Sequence, residues 1–133
     1  MATDRVSLTL PSELVAELDE VTDEWGYSSR SSAAREALRS FLVDRRWEVA
    51  GPDEPQRGSI TIVYDHHVRG LTDDLLDVQH AHEDVVVATQ HVHFDPDLCL
   101  ETLVVNGAAG EIRELLEGIH GIDGVEQVRF TVV

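Results

Sequence analysis

Apolar and polar positions change period several times along the chain, and each change marks an element. Residues 5–10, Arg5-Val6-Ser7-Leu8-Thr9-Leu10, alternate strictly. Val6, Leu8 and Leu10 therefore share one face of a strand, and Arg5, Ser7 and Thr9 the other. Pro11 and Ser12 end that strand and open a helix, because a missing N–H costs nothing in a first turn. Leu14, Leu18 and Val21 follow at helical spacing, and Gly26 is placed to stop them. Ser29 is a candidate N-cap for a second helix with Ala34, Ala37, Leu38, Phe41 and Leu42 as its stripe. Residues 51–58, with two prolines, glycine and acids, read as a linker.

From residue 59 the pattern predicts a strand over 59–64, a helix over 71–81 and a strand over 84–94. A turn at Asp95-Pro96, a strand over 97–105, a helix over 110–119 and a strand over 125–133 complete the chain. The order βαββαβ is the split-βαβ, ferredoxin-like arrangement. The expected architecture is α+β. An N-terminal βαα domain over residues 1–50 precedes the linker at 51–58, and a βαββαβ domain follows over residues 59–133.

One short strand with two helices cannot stand alone, since its ladder groups stay unpaired. Pairing with a second copy would bury Val6, Leu8 and Leu10 and turn Arg5, Ser7 and Thr9 outward on a ribbon that fits a DNA major groove. The plainer alternative makes them the solvated face of a dimerisation strand.

Charge changes the picture next. Over 133 residues the net charge is −16, and all ten basic residues are arginine. Such a surface argues against phosphate contact in general. It suits instead adaptation to molar salt, where the screening length shrinks to about 3 Å. The excess is uneven: residues 1–50 carry a net −4 and residues 51–133 a net −12. No run of about 18 apolar residues offers a membrane span and no leader pattern opens the chain, so the expectation is a cytoplasmic protein. A single cysteine excludes an internal disulfide.

The candidate chemistry is concentrated in residues 79–101, QHAHEDVVVATQHVHFDPDLCLE, with four of the seven histidines and the only cysteine. Imidazole and thiolate suit late first-row transition metals. His91 and His93 leave one face of a strand, and Cys99 lies past the turn on the strand that pairs back, so three donors converge. A half-buried histidine is more commonly a hydrogen-bonded side chain and a lone cysteine a small core residue, but the three together favour metal. His80 and His82 are candidates for a fourth ligand. They lie about 200° apart around a helix, and periodicity does not choose between them. Glu101 and Gln79 are candidate partners for imidazole N–H groups. His66, His67 and His120 read as surface histidines, the first two with a weaker site as the alternative. No nucleophile–base pair or phosphate-cradling loop is present, so the chain is not expected to be an enzyme.

The segment RVSLTLPSELVAELDEVTDEWGYSSRSSAAREALRSFL resembles a ribbon-helix-helix DNA-binding domain, with Leu18-Asp19, Gly26-Tyr27, Ser29-Arg30-Ser31 and Arg35 in the usual places. That resemblance implies that Arg5, Ser7 and Thr9 enter the major groove and that Ser29 and Arg30 hold a phosphate at a helix N-terminus. Together with residues 79–101, nearly the whole chain is similar to the NikR family of nickel-responsive transcriptional regulators. The resemblance implies an ACT-like second domain and one Ni(II) per subunit. It places that ion in a square-planar site of His91, His93, Cys99 and, from a neighbouring subunit, His80. It further implies a homotetramer built as a dimer of dimers, a palindromic operator and repression of nickel uptake. The chain departs from some relatives at Ala81 and Glu83, where longer histidine runs occur, which bears on secondary metal sites. Rival readings are a metal-dependent hydrolase or metal-storage protein, and a regulator sensing an amino acid or other small ligand.

Overall fold

The computed structural model describes residues 2–133 as two compact units, one running to Leu42 and the other Val43–Val133. In the first, α1 (Ser12–Glu24) is joined to the start of α2 (Arg30–Val49), a helix whose last residues belong to the second unit, by a turn at Gly26, whose φ of 71° is the left-handed conformation that glycine adopts without a Cβ penalty. The N–H groups of Gly26 and Tyr27 close the end of α1 on Asp23 and Thr22 carbonyls. Ser29 caps α2, its Oγ accepting the Ser32 N–H at 3.1 Å.

Residues 5–10 take no strand ladder within the single chain, and Val6 and Leu8 stand 75% and 69% exposed. The expected strand has no pairing partner in its own subunit, which leaves its backbone groups and its apolar face without cover.

The second unit is a four-stranded antiparallel sheet in the order β2-β3-β1-β4. Its strands are β1 (Pro55–Asp65), β2 (Val86–His93), β3 (Leu98–Ala108) and β4 (Val125–Val132). α3 (Leu71–Ala81) and α4 (Ala109–His120) complete the βαββαβ order. β1 begins four residues ahead of the expected Ser59, so Pro55–Gly58 belong to the strand and not to a connection; Pro55 is tolerated as a first strand residue. Alternate residues Ile60, Ile62 and Tyr64 of β1 and Leu103 and Val105 of β3 meet Leu71, Leu75, Ile112, Leu115 and Ile119 of the helices in one core. Cys99 is a fully buried member of that core. No helix among the described residues is long and apolar enough to cross a membrane.

Candidate metal centre and nucleic-acid interface

The β2–β3 hairpin sets the donors out by register. His93 pairs with Cys99 and His91 with Glu101, so all four side chains rise from the helix-covered face. The turn between the strands is held by Asp95, whose Oδ1 accepts the N–H groups of Asp97 and Leu98 at 2.9 and 2.7 Å. These bonds, the Leu98 one foremost, hold the Asp95 carboxyl below the usual carboxylate range.

His93 Nδ1 lies 3.2 Å from Cys99 Sγ. His91, one pair along, has its Nδ1 3.1 Å from the Tyr64 hydroxyl and 3.4 Å from Glu101 Oε1. Partners at Nδ1 orient the ring and leave Nε2 as the outward nitrogen. Glu101 is itself buried and takes an N–H from Gln79 Nε2 at 3.0 Å, and Thr89 donates to Gln79 Oε1 at 3.3 Å. Both residues picked out as candidate supports thus stand in one hydrogen-bonded chain running from His91 to α3. Burial foremost, then the charge of Glu101, pushes the Tyr64 hydroxyl far up, so it stays protonated at any ordinary pH. Burial also pushes the Cys99 thiol up, helped by the charges of Asp65, Glu101 and Asp95.

His80 is exposed on the last turn of α3 and lines a cavity of about 370 Å³ with Tyr64, Leu75, Gln79, Thr89 and Glu101. It does not join the sulfur-centred group of its own subunit. His82 turns the other way: its Nδ1 lies 3.0 Å from the Val78 carbonyl and its Nε2 3.8 Å from Glu114 of α4.

His66 departs from the sequence reading. It is half-buried, and its Nδ1 lies 3.4 Å from Cys99 Sγ. Among the described residues, the one cluster of metal-competent side chains with ligand atoms within 4.8 Å of each other is His66, His93 and Cys99. β1 pairs with β3 so that Tyr64 faces Cys99, which delivers the residue after the strand to the sulfur. That β1–β3 neighbourhood follows from the ferredoxin-like order, and it is the signal that would have found His66. His67 is exposed against Asp97 and the Pro96 carbonyl, and His120 is exposed at the end of α4.

On the first unit Arg5, Ser7, Thr9, Ser29 and Arg30 are all exposed. The Arg30 guanidinium makes a two-pronged pair with Asp19, Nε to Oδ1 and Nη2 to Oδ2, each at 2.8 Å. That pair joins α1 to the first turn of α2.

A ribbon-helix-helix unit beside a ferredoxin-like domain carrying soft donors defines a DNA-binding regulator that responds to a metal. Residues 57–133 match the family described as the NikR C-terminal nickel-binding domain, and residues 4–45 match the ribbon-helix-helix protein family of the copG type. A protein of Methanococcus maripaludis described as a nickel-responsive regulator is 42% identical over 98% of this chain and 92% of its own length. A similarly described protein of Methanocaldococcus jannaschii is 41% identical over the same shares. One of Geobacter sulfurreducens is 43% identical over 92% of this chain and 86% of its own. The chain belongs to the NikR family of nickel-responsive regulators, and it is a nickel-responsive DNA-binding transcriptional regulator.

Solved structures extend the likeness of fold. An uncharacterized protein of Thermotoga maritima superposes with a TM-score of 0.55 at 16% identity, covering 60% of this chain and 99% of that one. The ACT domain of a GTP pyrophosphokinase from Chlorobium tepidum does so with 0.51 at 15%, covering 59% and 100%.

Proposed function

We propose that His91, His93 and Cys99 of one subunit and His80 of the partner subunit hold one Ni(II) per subunit. Occupancy of that site then governs binding of the ribbon-helix-helix units to a palindromic operator in the cytoplasm. The observation that carries this reading is the pairing of His93 with Cys99 and of His91 with Glu101 on one sheet face, with His91 braced at Nδ1. Three imidazoles and a thiolate suit Ni(II), and bound nickel supplies a preference for a planar donor set. The chain's own contribution is to present two imidazoles and a sulfur from one hairpin and to orient His91 through Tyr64 and Glu101. His80, apart from that group in its own subunit, supports completion of the site by a second copy.

Completion across an interface makes assembly geometry the readout, with two ribbons placed for two half-sites by a dimer of dimers. Coupling of this kind has a typical size of about 1–3 kcal/mol, a factor of roughly 5–150 in operator affinity. The regulated process is nickel uptake, repressed when nickel is bound. Arg5, Ser7 and Thr9 read bases, and Ser29 and Arg30 approach a phosphate.

The test is an electrophoretic shift of the chain's own upstream DNA, with and without Ni(II), for the native protein and for His80→Gln. A nickel-dependent shift that His80→Gln abolishes is expected. A shift indifferent to nickel overturns the regulatory reading, and a nickel-dependent shift unchanged by His80→Gln overturns the shared ligand set.

A further inference from the structure

We propose that Arg113 and Trp47 are positioning residues, a clamp inside the second unit that fixes the end of α2 to the metal-binding domain and so passes nickel occupancy on to the DNA-binding helices. The inference deepens the nickel-responsive reading and rests on it.

The helix itself makes the connection. α2 runs without a break from Arg30 to Val49 while the first unit ends at Leu42, so residues 43–49 of this helix belong to the second unit. A continuous helix bonds each residue to the turn before it and carries a movement of one end to the other. What it transmits then depends on how firmly its far end is held.

The hold is specific. Trp47 packs on the core of the second unit, its ring edge-on to Phe130 of β4 with centroids 4.5 Å apart, and the Arg113 guanidinium of α4 lies over the same ring at 4.9 Å. Nη2 of Arg113 also donates to the Trp47 and Ala50 carbonyls at 3.0 and 2.9 Å. The last carbonyls of a helix lack partners within it and carry partial negative charge, so one guanidinium answers both needs. Phe130 has room because residue 58 is glycine: a Cβ there would stand 2.8 Å from the Phe130 ring.

No slack follows the clamp. Ala50 is buried, and the N–H groups of Ala109 and Gly110 at the start of α4 donate to the Glu54 and Pro52 carbonyls, each at 2.9 Å. A Cβ on Gly110 would approach the Pro52 carbonyl to 3.1 Å, so this contact too is fitted to a glycine. β1 then begins at Pro55. The stretch expected as a linker is thus tied down all the way from α2 to the sheet. α4 in turn packs through Ile112, Leu115 and Ile119 on the core that holds Leu71 and Leu75 of α3, the helix whose last turn carries His80. Packed side chains and hydrogen-bonded main chain therefore run unbroken from α3 to the end of α2, the kind of network through which coupling travels.

The experiment uses the full-length protein and measures operator affinity with and without Ni(II) by fluorescence anisotropy on the chain's own upstream DNA. Ni(II) affinity without DNA is measured by chelator competition, and circular dichroism confirms the fold. Arg113→Met keeps an apolar stem and loses both hydrogen bonds, and Trp47→Leu removes the ring that Arg113 and Phe130 hold. Each is expected to leave Ni(II) affinity without DNA within about twofold, while the nickel-dependent gain in operator affinity, about 5–150-fold for coupling of typical size, falls roughly fivefold or more. By reciprocity, the gain in Ni(II) affinity on adding operator falls by the same factor. The double variant Asp44→Gly/Arg45→Gly softens α2 beside the unit boundary and leaves the clamp in place. It is expected to lose the gain as well, the matching alanine pair keeping it, and it decides the question if Arg113→Met and Trp47→Leu fail to fold. Full nickel-dependent gain in folded Arg113→Met or in the glycine pair would overturn the proposal and leave the nickel-responsive reading standing. A drop in Ni(II) affinity without DNA as large as the drop in gain would make Arg113 a support of the metal-binding domain and overturn it too. Native protein without any nickel-dependent gain fails the nickel-responsive reading itself, and the clamp with it.

Discussion

His91 and Glu101 face each other across the β2–β3 pairing, with Nδ1 3.4 Å from Oε1, and Gln79 of α3 holds the opposite oxygen of the same carboxylate. One buried carboxylate thereby connects His91 on the hairpin to the helix that carries His80.

Glu101→Ala is accordingly expected to lower Ni(II) affinity by about 10–100-fold, the usual cost of removing a group that orients a ligand. Glu101→Gln keeps the shape and an acceptor oxygen and should lose less. Chelator-competition titration measures both. Equal affinity of native protein and Glu101→Ala would remove the carboxylate from the site.

Affinity for nickel should rise with pH. The metal takes a thiolate and neutral imidazoles, and the Cys99 thiol is raised by its burial first and by neighbouring carboxylates second. Below that raised value binding displaces the thiol proton, so affinity climbs close to tenfold per pH unit there. Without metal the sign reverses. A raised thiol value means that the folded state favours the protonated form, so this contribution to stability is full below the ordinary thiol range and fades as pH rises through the raised value. A pH-independent nickel affinity in isothermal titration would contradict the ligand set.

Arg5→Ala is expected to cost roughly 1–3 kcal/mol of specific operator binding with little change on unrelated DNA, the mark of a base contact. Arg30 makes a different prediction because its guanidinium is already paired with Asp19. If Arg30 reaches a phosphate, Arg30→Ala weakens all sequences alike and reduces the salt slope by about 1. An unchanged slope would leave it as the tie between α1 and α2. Fluorescence anisotropy across a salt series separates the cases.

Ser29→Ala removes the oxygen that accepts the Ser32 N–H, and about 1 kcal/mol of stability should go with it. Denaturant unfolding monitored by helix content reads the difference. No change would mean that the Ser29 carbonyl, which accepts the Ser32 and Ala33 N–H groups, suffices to hold the first turn.

A net charge of −16 repels itself at low ionic strength. Thermal stability is expected to rise steadily from millimolar to molar KCl, where the screening length falls to about 3 Å. A melting temperature flat across that range would remove salt adaptation as the reason for the acidic surface.

Much of this architecture is legible in the chain because its signals are local. The stripe of Leu71, Leu75 and Val78 predicts α3 over 71–81, as observed, and the apolar runs about the Asp95-Pro96 turn locate the β2–β3 hairpin to within two residues at three of its four strand ends, β3 alone running on to Ala108. The strand expected over residues 5–10 takes no ladder in the single chain, which offers it nothing to pair with. Pro55–Gly58 misled, since prolines and glycine resemble a linker while these residues pair with Val105–Ala108.

By itself the sequence determined the order of the elements, the soft donor set around Cys99 and the acid excess, since each depends on residue type and on spacing within one hairpin or helix. Only the tertiary structure decided that His66 stands at the sulfur, 33 positions away in the chain, and that Gln79 of α3 holds the Glu101 carboxylate that faces His91. The physical reason is that the β1–β3 pairing and the seating of α3 on the sheet are contacts between distant segments. Their register is set by how the whole core closes, and no local period records it.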